Sequence, residues 1–471
     1  MHGRAARLWE TGLLCLAILF LPFPARAWLG EFTIRDELEL ARKFDLVIET
    51  RFPVVHDSVI TGYVQSLVDR LVAVMPPQPF PIKVTVVRNG ALNAFASAAG
   101  HVTIFTGLIA NLDGEDELAS VIAHELAHVS ERHIARSIEK SQFIGAGSLL
   151  GILAGVLIGS QVSSESGDAL AIGAVAGSQS LQLKYTRENE KDADQFGLEY
   201  LVKAGFSPAG TTRAFEKIRK LQWLGGGGSV PSYLTTHPGL DDRLGYMQER
   251  ISRLSQGVHQ QPTDNREFYK VRTLVHAWFS DANTANAVFS SSASTTCLFK
   301  LGEAIALSRL HQVEDARARF HEALACNPGD PLWKREYGRF AFEYGELSTA
   351  VEALQEAVLK NPADLFALFF YARAVAEQGN FGASIAAMEK VAKSVPRDAE
   401  VQENLGRYHA AMGNQFDGHL HFARAFAYKR QFTKYTFHLQ KAEALAVRTD
   451  QQAKLRALRD EIAEYREILG I

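Results

Sequence analysis

The chain has 471 residues, of which 47% are hydrophobic and 22% are charged, a composition typical of a globular protein with two or more domains. Its formal net charge is −3 and its pI is near 6.6. No run or patch of Lys and Arg stands out, so nucleic acid is excluded as an expected partner.

The N-terminus has the pattern of a cleaved signal peptide. Arg4 and Arg7 precede an apolar segment, Thr11–Leu21, and an Ala-Arg-Ala cleavage site ends at Ala27. A membrane anchor is the alternative, but the apolar segment is too short to span a bilayer comfortably. We therefore expect residues 1–27 to direct export and to be removed.

Two cysteines remain in the expected mature chain, Cys297 and Cys326. An exported protein can form a disulfide between them, because the compartments outside the cytoplasm are oxidising. Their separation in sequence does not decide whether they pair.

A helical region and a group of short strands are expected before residue 110. Residues from 28 to about 75 have a mostly helical pattern with a break at Pro53. Ile82–Val87, Leu92–Ser97 and Gly100–Gly107 are strand candidates separated by turn residues. Together they predict a small antiparallel sheet just ahead of the next helix.

That next helix contains His124-Glu125-x-x-His128. Residues four apart lie on one helix face, so the imidazoles of His124 and His128 can meet at one point, where they suit a zinc ion. Glu125 is then placed to take a proton from water, the general-base role in a metalloprotease. Because a five-residue pattern arises by chance in roughly one chain in forty of this length, the surrounding sequence must decide.

A zinc site needs a third protein ligand, and two candidates lie downstream. The first is His133, but the known extended motif places Gly at position 131 and the third His at position 134. Glu131 and Ile134 occupy those positions, so His133 does not fit. Glu190 and Asp194 lie one turn apart on a later helix, so Glu190 can bind zinc while Asp194 hydrogen-bonds a ligating His. An ordinary acidic helix face is the alternative.

Two apolar segments, Phe143–Ile158 and Ala169–Ala176, lie between the motif helix and the Glu190 helix. Each is shorter than the roughly 20 residues that cross a bilayer. A helical hairpin that packs on the domain or makes peripheral membrane contact is the preferred interpretation. An integral membrane protease is the alternative.

After a polar linker at residues 256–265, three residue types recur every 34 residues, a period that ends in Pro: Pro328, Pro362 and Pro396; Asp330, Asp364 and Asp398; Gly345, Gly379 and Gly413. This is the tetratricopeptide signature, in which paired antiparallel helices stack into a superhelix. The expected fold is mainly α with a small antiparallel β-sheet: a zincin-type α+β metalloprotease domain at residues 28–255, then an α-solenoid of repeats at residues 266–471.

The motifs resemble the gluzincin family that contains HtpX and the CAAX prenyl proteases. The resemblance rests on His124-Glu-x-x-His128, on Arg187-x-x-Glu190-x-x-x-Asp194 and on Asn93-Ala-Phe-Ala96. The order of signal peptide, protease domain and repeats resembles the periplasmic branch of that family.

The resemblance implies one zinc ion bound by His124, His128 and Glu190, with Glu125 as the base. It also implies support from Arg187 and Arg243, and a regulatory fourth ligand in His237, which belongs to a His-Pro pair. Gly239-Leu240 departs from the Leu-Pro usual in that branch, which puts the stiffness of the loop in question. A solvated loop histidine is the alternative for His237.

The implied function is a periplasmic endopeptidase with chaperone activity in quality control of outer-membrane β-barrel proteins. Misfolded or stalled client segments would add as a strand beside Asn93, Ala94, Phe95 and Ala96. The repeats would bind the outer-membrane assembly machinery or the client. The alternative is a repeat-based chaperone or scaffold in which proteolysis is latent or occasional.

Overall fold

The structure is a computed structural model that describes residues 32–140, 185–224, 233, 236–255, 263–290 and 296–469. The expected signal peptide at residues 1–27, the two apolar segments between residues 143 and 176, Gly225–Gly228 and most of the expected linker lie outside the described residues. No described helix is both long and apolar enough to cross a membrane.

Two helices open the described chain, and each begins at a side-chain cap. Helix α1 spans Ile34–Arg51, and its Thr33 cap forms a reciprocal capping box with Asp36. Helix α2 spans Ser58–Val72, and the Asp57 carboxylate accepts the first free backbone N–H groups. The predicted break at Pro53 separates them.

Three strands follow within the described residues: β1 (Lys83–Val87), β2 (Ala94–Ala96) and β3 (His101–Phe105), in the order β1-β3-β2. The sheet is mixed, which corrects the expected antiparallel sheet. Strand β2 pairs antiparallel with β3, but β1 pairs parallel with β3. Strand β3 thus takes the central place that an all-antiparallel meander gives to β2. All of its residues are buried, whereas β1 is partly exposed, as expected at an edge.

The motif helix is enclosed by its neighbours. After α3 (Thr106–Asn111), helix α4 spans Glu115–Ser130 and is buried from Glu115 to Val129. The elements that follow it are α5 (His133–Lys140), α6 (Arg187–Lys203), α7 (Ala209–Leu224) and α8 (Leu240–Ser255). Helices α6 and α7 both pack against α4.

A glycine sets the distance between α4 and α6. A Cβ added to Gly197 would lie 3.0 Å from the Cα of His124 and 3.1 Å from the Ala123 carbonyl carbon. Any larger residue would push α6, and Glu190 with it, away from the motif helix.

The predicted repeat is confirmed. Helices α9 (Arg266–Phe279) and α10 (Ala282–Ser290) precede four regular pairs, and α19 (Phe432–Leu445) and α20 (Thr449–Leu469) follow them. The four pairs are α11 (Cys297–Arg309) and α12 (Val313–Cys326), α13 (Pro331–Glu343) and α14 (Leu347–Lys360), α15 (Leu365–Glu377) and α16 (Phe381–Ser394), and α17 (Ala399–Ala411) and α18 (Gln415–Tyr428).

The periodic residues have local roles in each pair. Asp330, Asp364 and Asp398 cap the first helices of their units by accepting backbone N–H groups. Gly345, Gly379 and Gly413 adopt positive φ between the two helices. His311 takes the same place in the first unit with φ of 59°.

The first unit also contains a disulfide between Cys297 and Cys326, whose Cα atoms are 5.6 Å apart. It links the start of α11 to the end of α12.

A buried ionic network joins the repeats to the N-terminal helices. Arg335 on α13 is fully buried, and its guanidinium lies 2.8 Å from Asp57 and 3.3 Å from Asp364. Ser58 also donates to Asp364 at 2.7 Å. At the start of the motif helix, Asn265 from the end of the linker accepts the Glu115 N–H at 2.7 Å. These contacts bond the repeat array to the sheet-containing part of the chain.

Candidate metal centre

Four buried side chains from three parts of the chain converge at one point. His124 and His128 come from α4, Glu190 comes from the first turn of α6, and His237 lies just before α8. One ligand atom from each of the four residues lies within 4.8 Å of the others. The structure thus brings together the two motif histidines, the expected third ligand and the expected fourth ligand.

The spacing of these atoms fits a tetrahedral metal ion. Ligands about 2.0–2.1 Å from a zinc ion stand about 3.3 Å apart at the corners of a tetrahedron. Here His124 Nε2 lies 3.1 Å from His128 Nε2 and 3.3 Å from His237 Nδ1. Glu190 Oε1 lies 3.0 Å from His237 Nδ1 and 3.5 Å from His128 Nε2. Three imidazoles and one carboxylate are also a donor set that zinc accepts.

Other side chains hold the candidate ligands from behind. Asp194 Oδ1 lies 3.0 Å from His124 Nδ1, the nitrogen that faces away from the convergence point. Arg243 is buried between the two acids, donating to Asp194 at 2.7 and 2.8 Å and also to Glu190. Tyr246 donates to Asp194 as well. Such partners fix the tautomer and orientation of a ligating histidine.

His133, which the sequence pattern excluded as a ligand, contacts a candidate ligand instead. Its Nδ1 lies 2.9 Å from His128 Nδ1, so the two rings share a hydrogen bond that leaves His128 Nε2 facing the convergence point. The Tyr185 ring stacks on His128 with 3.7 Å between ring centroids. No periodic pattern in the sequence predicts that His133 and Tyr185 contact His128, because both contacts depend on the tertiary fold.

Burial and neighbouring charges set the protonation of the cluster. Burial lowers the pKa of His128 well below its usual range. At His124, burial and Arg243 oppose the charged form, but hydrogen bonds to Asp194 and Glu190 outweigh them and raise the pKa to about 9. Burial also opposes the charged form of Glu190, yet His237 and Arg243 hold its pKa well below the usual value. The carboxylate is therefore available to a cation.

Glu125 lies between the convergence point and the sheet. Its Oε2 accepts the Ala96 N–H at 2.9 Å, whereas its buried Oε1 has no hydrogen-bond partner among the described residues. Burial raises the pKa of the Glu125 carboxyl, and the nearby His237 and His124 offset this only in part. A carboxylate with one free oxygen and a raised pKa is suited to accept a proton.

The expected substrate strand lies directly beside Glu125. Ala94, Phe95 and Ala96 form β2, at the edge of the sheet as far as it is described. Asn93 precedes β2, and its carbonyl oxygen accepts the Phe105 N–H from β3 at 3.1 Å. The Ala96 N–H points the other way, toward Glu125. The edge of β2 that faces away from β3 therefore runs past the candidate base.

His237 is fully buried, so it is not a solvated loop histidine. Its ring stacks on Tyr233 with 4.4 Å between centroids, and its backbone N–H donates to the Tyr233 carbonyl at 2.9 Å. Its Nε2 lies 3.4 Å from Glu125 Oε1. Gly239 has φ of 82°, where a leucine would be strained, which gives a backbone reason for the glycine at this position.

The structure does not bring Arg187 into the site. It is the first residue of α6, and its exposed guanidinium lies 3.6 Å from Asp242. Arg243 is the arginine that contacts Glu190 and Asp194, so the support expected from Arg187 is corrected. Tyr185, Tyr233 and Tyr246 contact the cluster and were not identified as site residues from the sequence.

A motif helix with two convergent imidazoles, a carboxylate from a second helix and an adjacent glutamate defines the class of metallopeptidases. Residues 59–251 match peptidase family M48, and residues 301–366 and 371–415 match the tetratricopeptide repeat. The chain therefore contains an M48 metallopeptidase domain followed by tetratricopeptide repeats.

Several proteins are similar to this chain in sequence. The chain is 27% identical over 307 residues to the beta-barrel assembly-enhancing protease of Yersinia pestis, a match that covers 64% of this chain and 62% of the relative. It is 28% identical to the Escherichia coli protein of the same name over 305 residues, 63% of this chain and 61% of the relative.

A putative beta-barrel assembly-enhancing protease of Vibrio cholerae is 37% identical over 222 residues, covering 46% of this chain and 44% of the relative. In each of these relatives, the matched part is less than two thirds of the relative's own length.

Proposed function

We propose that this chain is a zinc-dependent endopeptidase held in a latent state by His237. His124, His128 and Glu190 would hold the ion, and His237 would take the fourth position. The single observation that carries the proposal is the convergence of four buried donors beside Glu125, at separations of 3.0–3.5 Å between neighbouring atoms.

When bound, zinc supplies Lewis acidity that polarises a peptide carbonyl and a water molecule. Glu125 contributes the base: Oε1 takes the proton from water while the Ala96 N–H holds Oε2. Arg243 and Asp194 keep His124 and Glu190 in place. His237 must move away before substrate can enter, since its ring lies against both Glu125 and Glu190.

The substrate would be an extended segment of an unfolded protein. It would add antiparallel or parallel to the outer edge of β2, so that recognition runs mainly through backbone hydrogen bonds. This edge lies beside Glu125, which supports placing the scissile bond there.

We further propose that the chain works in the periplasm on outer-membrane β-barrel proteins. The signal-peptide pattern at residues 1–27 and the Cys297–Cys326 disulfide support export to an oxidising compartment. The names of the relatives support clients in β-barrel assembly. We assign the peptidase domain to residues 28–255 and the repeat domain to residues 266–471, with the repeats binding the assembly machinery or a stalled client.

A second candidate function is a repeat-based chaperone or scaffold that cleaves only occasionally. The observation that favours it is the buried position of His237 across the site, which fits a resting enzyme. The Glu125→Gln variant separates the two functions, because it removes the base and keeps the shape of the side chain. The variant is expressed in cells that lack the wild-type protein. If proteolysis is the main activity, the variant will fail to restore outer-membrane protein assembly. Full restoration favours the chaperone.

A further inference from the structure

A cavity of about 480 Å³ lies between the sheet-containing part and the repeat array, outside the candidate metal centre. On one side it is lined by residues 54–57 and Arg88, which follows β1. On the other side it is lined by the ends of α9 and α11, by α13 and by α15–α17. Its size is that of an ordinary ligand pocket, large enough for a few residues of an extended peptide.

One wall of the cavity is cationic. Arg88, Arg309 and Arg339 all line it. Burial and the nearby guanidinium groups of Arg88 and Arg339 lower the pKa of Arg309, as expected for like charges held together. Arg309 donates only to the neutral carbonyl oxygens of Ala277 and Ser280, at 2.6 and 2.8 Å, and within the described residues Arg88 forms no ion pair.

The acidic side chains of the cavity are already engaged. Asp57 is paired with the buried Arg335 at 2.8 Å. Glu400 pairs with a cation outside the cavity, the guanidinium of Arg373, at 3.1 Å. Asp398 accepts the Val401 N–H at 2.9 Å at the start of α17. Asp281 offsets part of the charge of Arg309, whereas Arg88 has no carboxylate partner among the described residues. An anionic group is therefore the complementary ligand for this wall.

The cavity also has an aromatic wall next to these cations. The Arg339 guanidinium carbon lies 3.5 Å from the ring centroid of Trp278 and 5.4 Å from that of Phe366. Phe279 and Phe369 line the same space. The Arg88 guanidinium carbon lies 5.9 Å from the ring centroid of Phe279, so a negative group at Arg88 and an apolar group on the rings would be close neighbours.

We propose that this cavity binds the free carboxyl terminus of an extended polypeptide whose last residue is aromatic. In such a residue the main-chain carboxylate and the side chain share one Cα, so a single residue reaches both the arginines and the rings. A carboxylate contacts guanidinium groups through charge-assisted hydrogen bonds, and a ring packs on the aromatic wall with favourable edge or offset geometry.

The proposal deepens the proposed function by naming a feature of the client. It rests on that function only in taking a polypeptide as the ligand, because binding at this cavity requires neither zinc nor Glu125. The cavity would hold the client by its C-terminus while the outer edge of β2 receives a segment nearer the middle of the client.

The test uses the full mature chain with Glu125→Gln, so that cleavage cannot alter the probe. The probe is a fluorescein-labelled ten-residue peptide of Ser, Thr and Gly that ends in Tyr-Phe, and binding is followed by fluorescence anisotropy. We expect saturable binding of the free acid, and binding about tenfold or more weaker for the same peptide with an amidated C-terminus. Replacing the final Phe with Ser should also weaken binding several-fold.

Three further measurements locate and identify the contact. Arg88→Gln should weaken the free acid about five- to tenfold and leave the amidated peptide unchanged, whereas the exposed Arg253→Gln on α8 should change neither. An amidated peptide with Glu before the final Phe carries a carboxylate on a side chain and none at its C-terminus. We expect it to bind more weakly than the free-acid peptide.

The proposal is overturned if the free-acid peptide does not bind or if the free-acid and amidated peptides bind equally. It is also overturned if the amidated peptide with an internal Glu binds as well as the free-acid peptide. Acid-selective binding that Arg88→Gln does not change overturns the location. Cleavage of an unfolded protein by the wild-type chain is measured separately. Loss of cleavage would contradict the peptidase proposal, whereas loss of peptide binding would contradict this one.

Discussion

The Nδ1 atoms of His128 and His133 lie 2.9 Å apart inside the buried cluster. One ring must donate to the other, and a proton on His128 Nδ1 leaves its Nε2 free for a metal ion. The far nitrogen of His133, Nε2, is buried and has no hydrogen-bond partner among the described residues. His133 is therefore placed to orient His128, a candidate ligand, from behind.

Loss of this contact is expected to weaken metal binding without removing a ligand. His133→Ala should lower zinc affinity about ten- to a hundredfold, measured by competition with a chromogenic chelator. His133→Gln supplies an oxygen acceptor and should recover part of that loss. The control is His276→Ala, which removes an imidazole bonded to the Ala110 carbonyl, remote from the cluster. Equal affinities for wild type and a folded His133→Ala would exclude the role.

The position of His237 leads to a prediction about activity. His237→Ala opens the fourth position, so cleavage of an unfolded protein such as casein should rise several-fold and include sites that wild type spares. Zinc affinity should fall, because one donor is lost. Tyr233→Phe is the matched control, since it keeps the ring that stacks on His237 and removes only a hydroxyl with no hydrogen-bond partner among the described residues. Unchanged activity and unchanged zinc affinity in His237→Ala would remove the latch.

The buried network around Arg335 predicts a large loss of stability. Arg335→Ala would leave the carboxylates of Asp57, Glu336 and Asp364 buried without their shared cation. Breaking a buried ion pair by removing one partner costs about 3–5 kcal/mol. We expect the midpoint of urea unfolding to fall accordingly, and the two parts of the chain to unfold in separate transitions. The exposed Arg253→Ala should stay within about 0.5 kcal/mol of wild type; a similar small effect from Arg335→Ala would contradict this role.

His421 gives the repeat array a pH dependence. Burial and Arg424 lower the pKa of His421 to about 3, and its Nδ1 lies 2.8 Å from Gln402 Oε1. An unfolded histidine has a pKa of about 6.5, so the unfolded state binds more protons between these values and stability falls as pH falls from about 6.5 toward 3. The loss should be up to about 1.4 kcal/mol per pH unit.

His421→Gln should flatten this slope in thermal unfolding scans between pH 4 and pH 7. The exposed His321→Gln should leave the slope as it is in wild type. A slope that is identical in His421→Gln and wild type would show that another group carries the acid sensitivity.

The repeat architecture was predictable because its signals act locally. Asp330, Asp364 and Asp398 cap the helices that follow them, and Gly345, Gly379 and Gly413 take positive φ where each helix ends. A 34-residue interval in these residues thus fixes where helices begin and end. His311 shows the limit, because it takes positive φ without the glycine that marks this turn elsewhere.

The sheet and the metal centre depended on longer-range contacts. The order of the strands is set by pairing between β1 and β3 and between β3 and β2, and alternation within single strands does not reveal it. Helical spacing paired His124 with His128 and Glu190 with Asp194, but His237 joined the site only through family resemblance. Arg187 lies close to Glu190 in sequence, and Arg243 was expected only from the family resemblance. The fold alone shows that Arg243 contacts Glu190, whereas Arg187 lies at the surface near Asp242.

The central claim is that His124, His128 and Glu190 hold a zinc ion beside Glu125. The most direct test is zinc content and affinity of the purified mature chain, compared with Glu190→Ala and with Glu125→Gln as the control. We expect about one zinc per chain in wild type and in Glu125→Gln. Glu190→Ala should weaken zinc by more than the hundredfold that a lost supporting contact can cost, with helical content unchanged. A wild-type chain that binds no zinc, or a Glu190→Ala chain with wild-type affinity, would contradict the assignment.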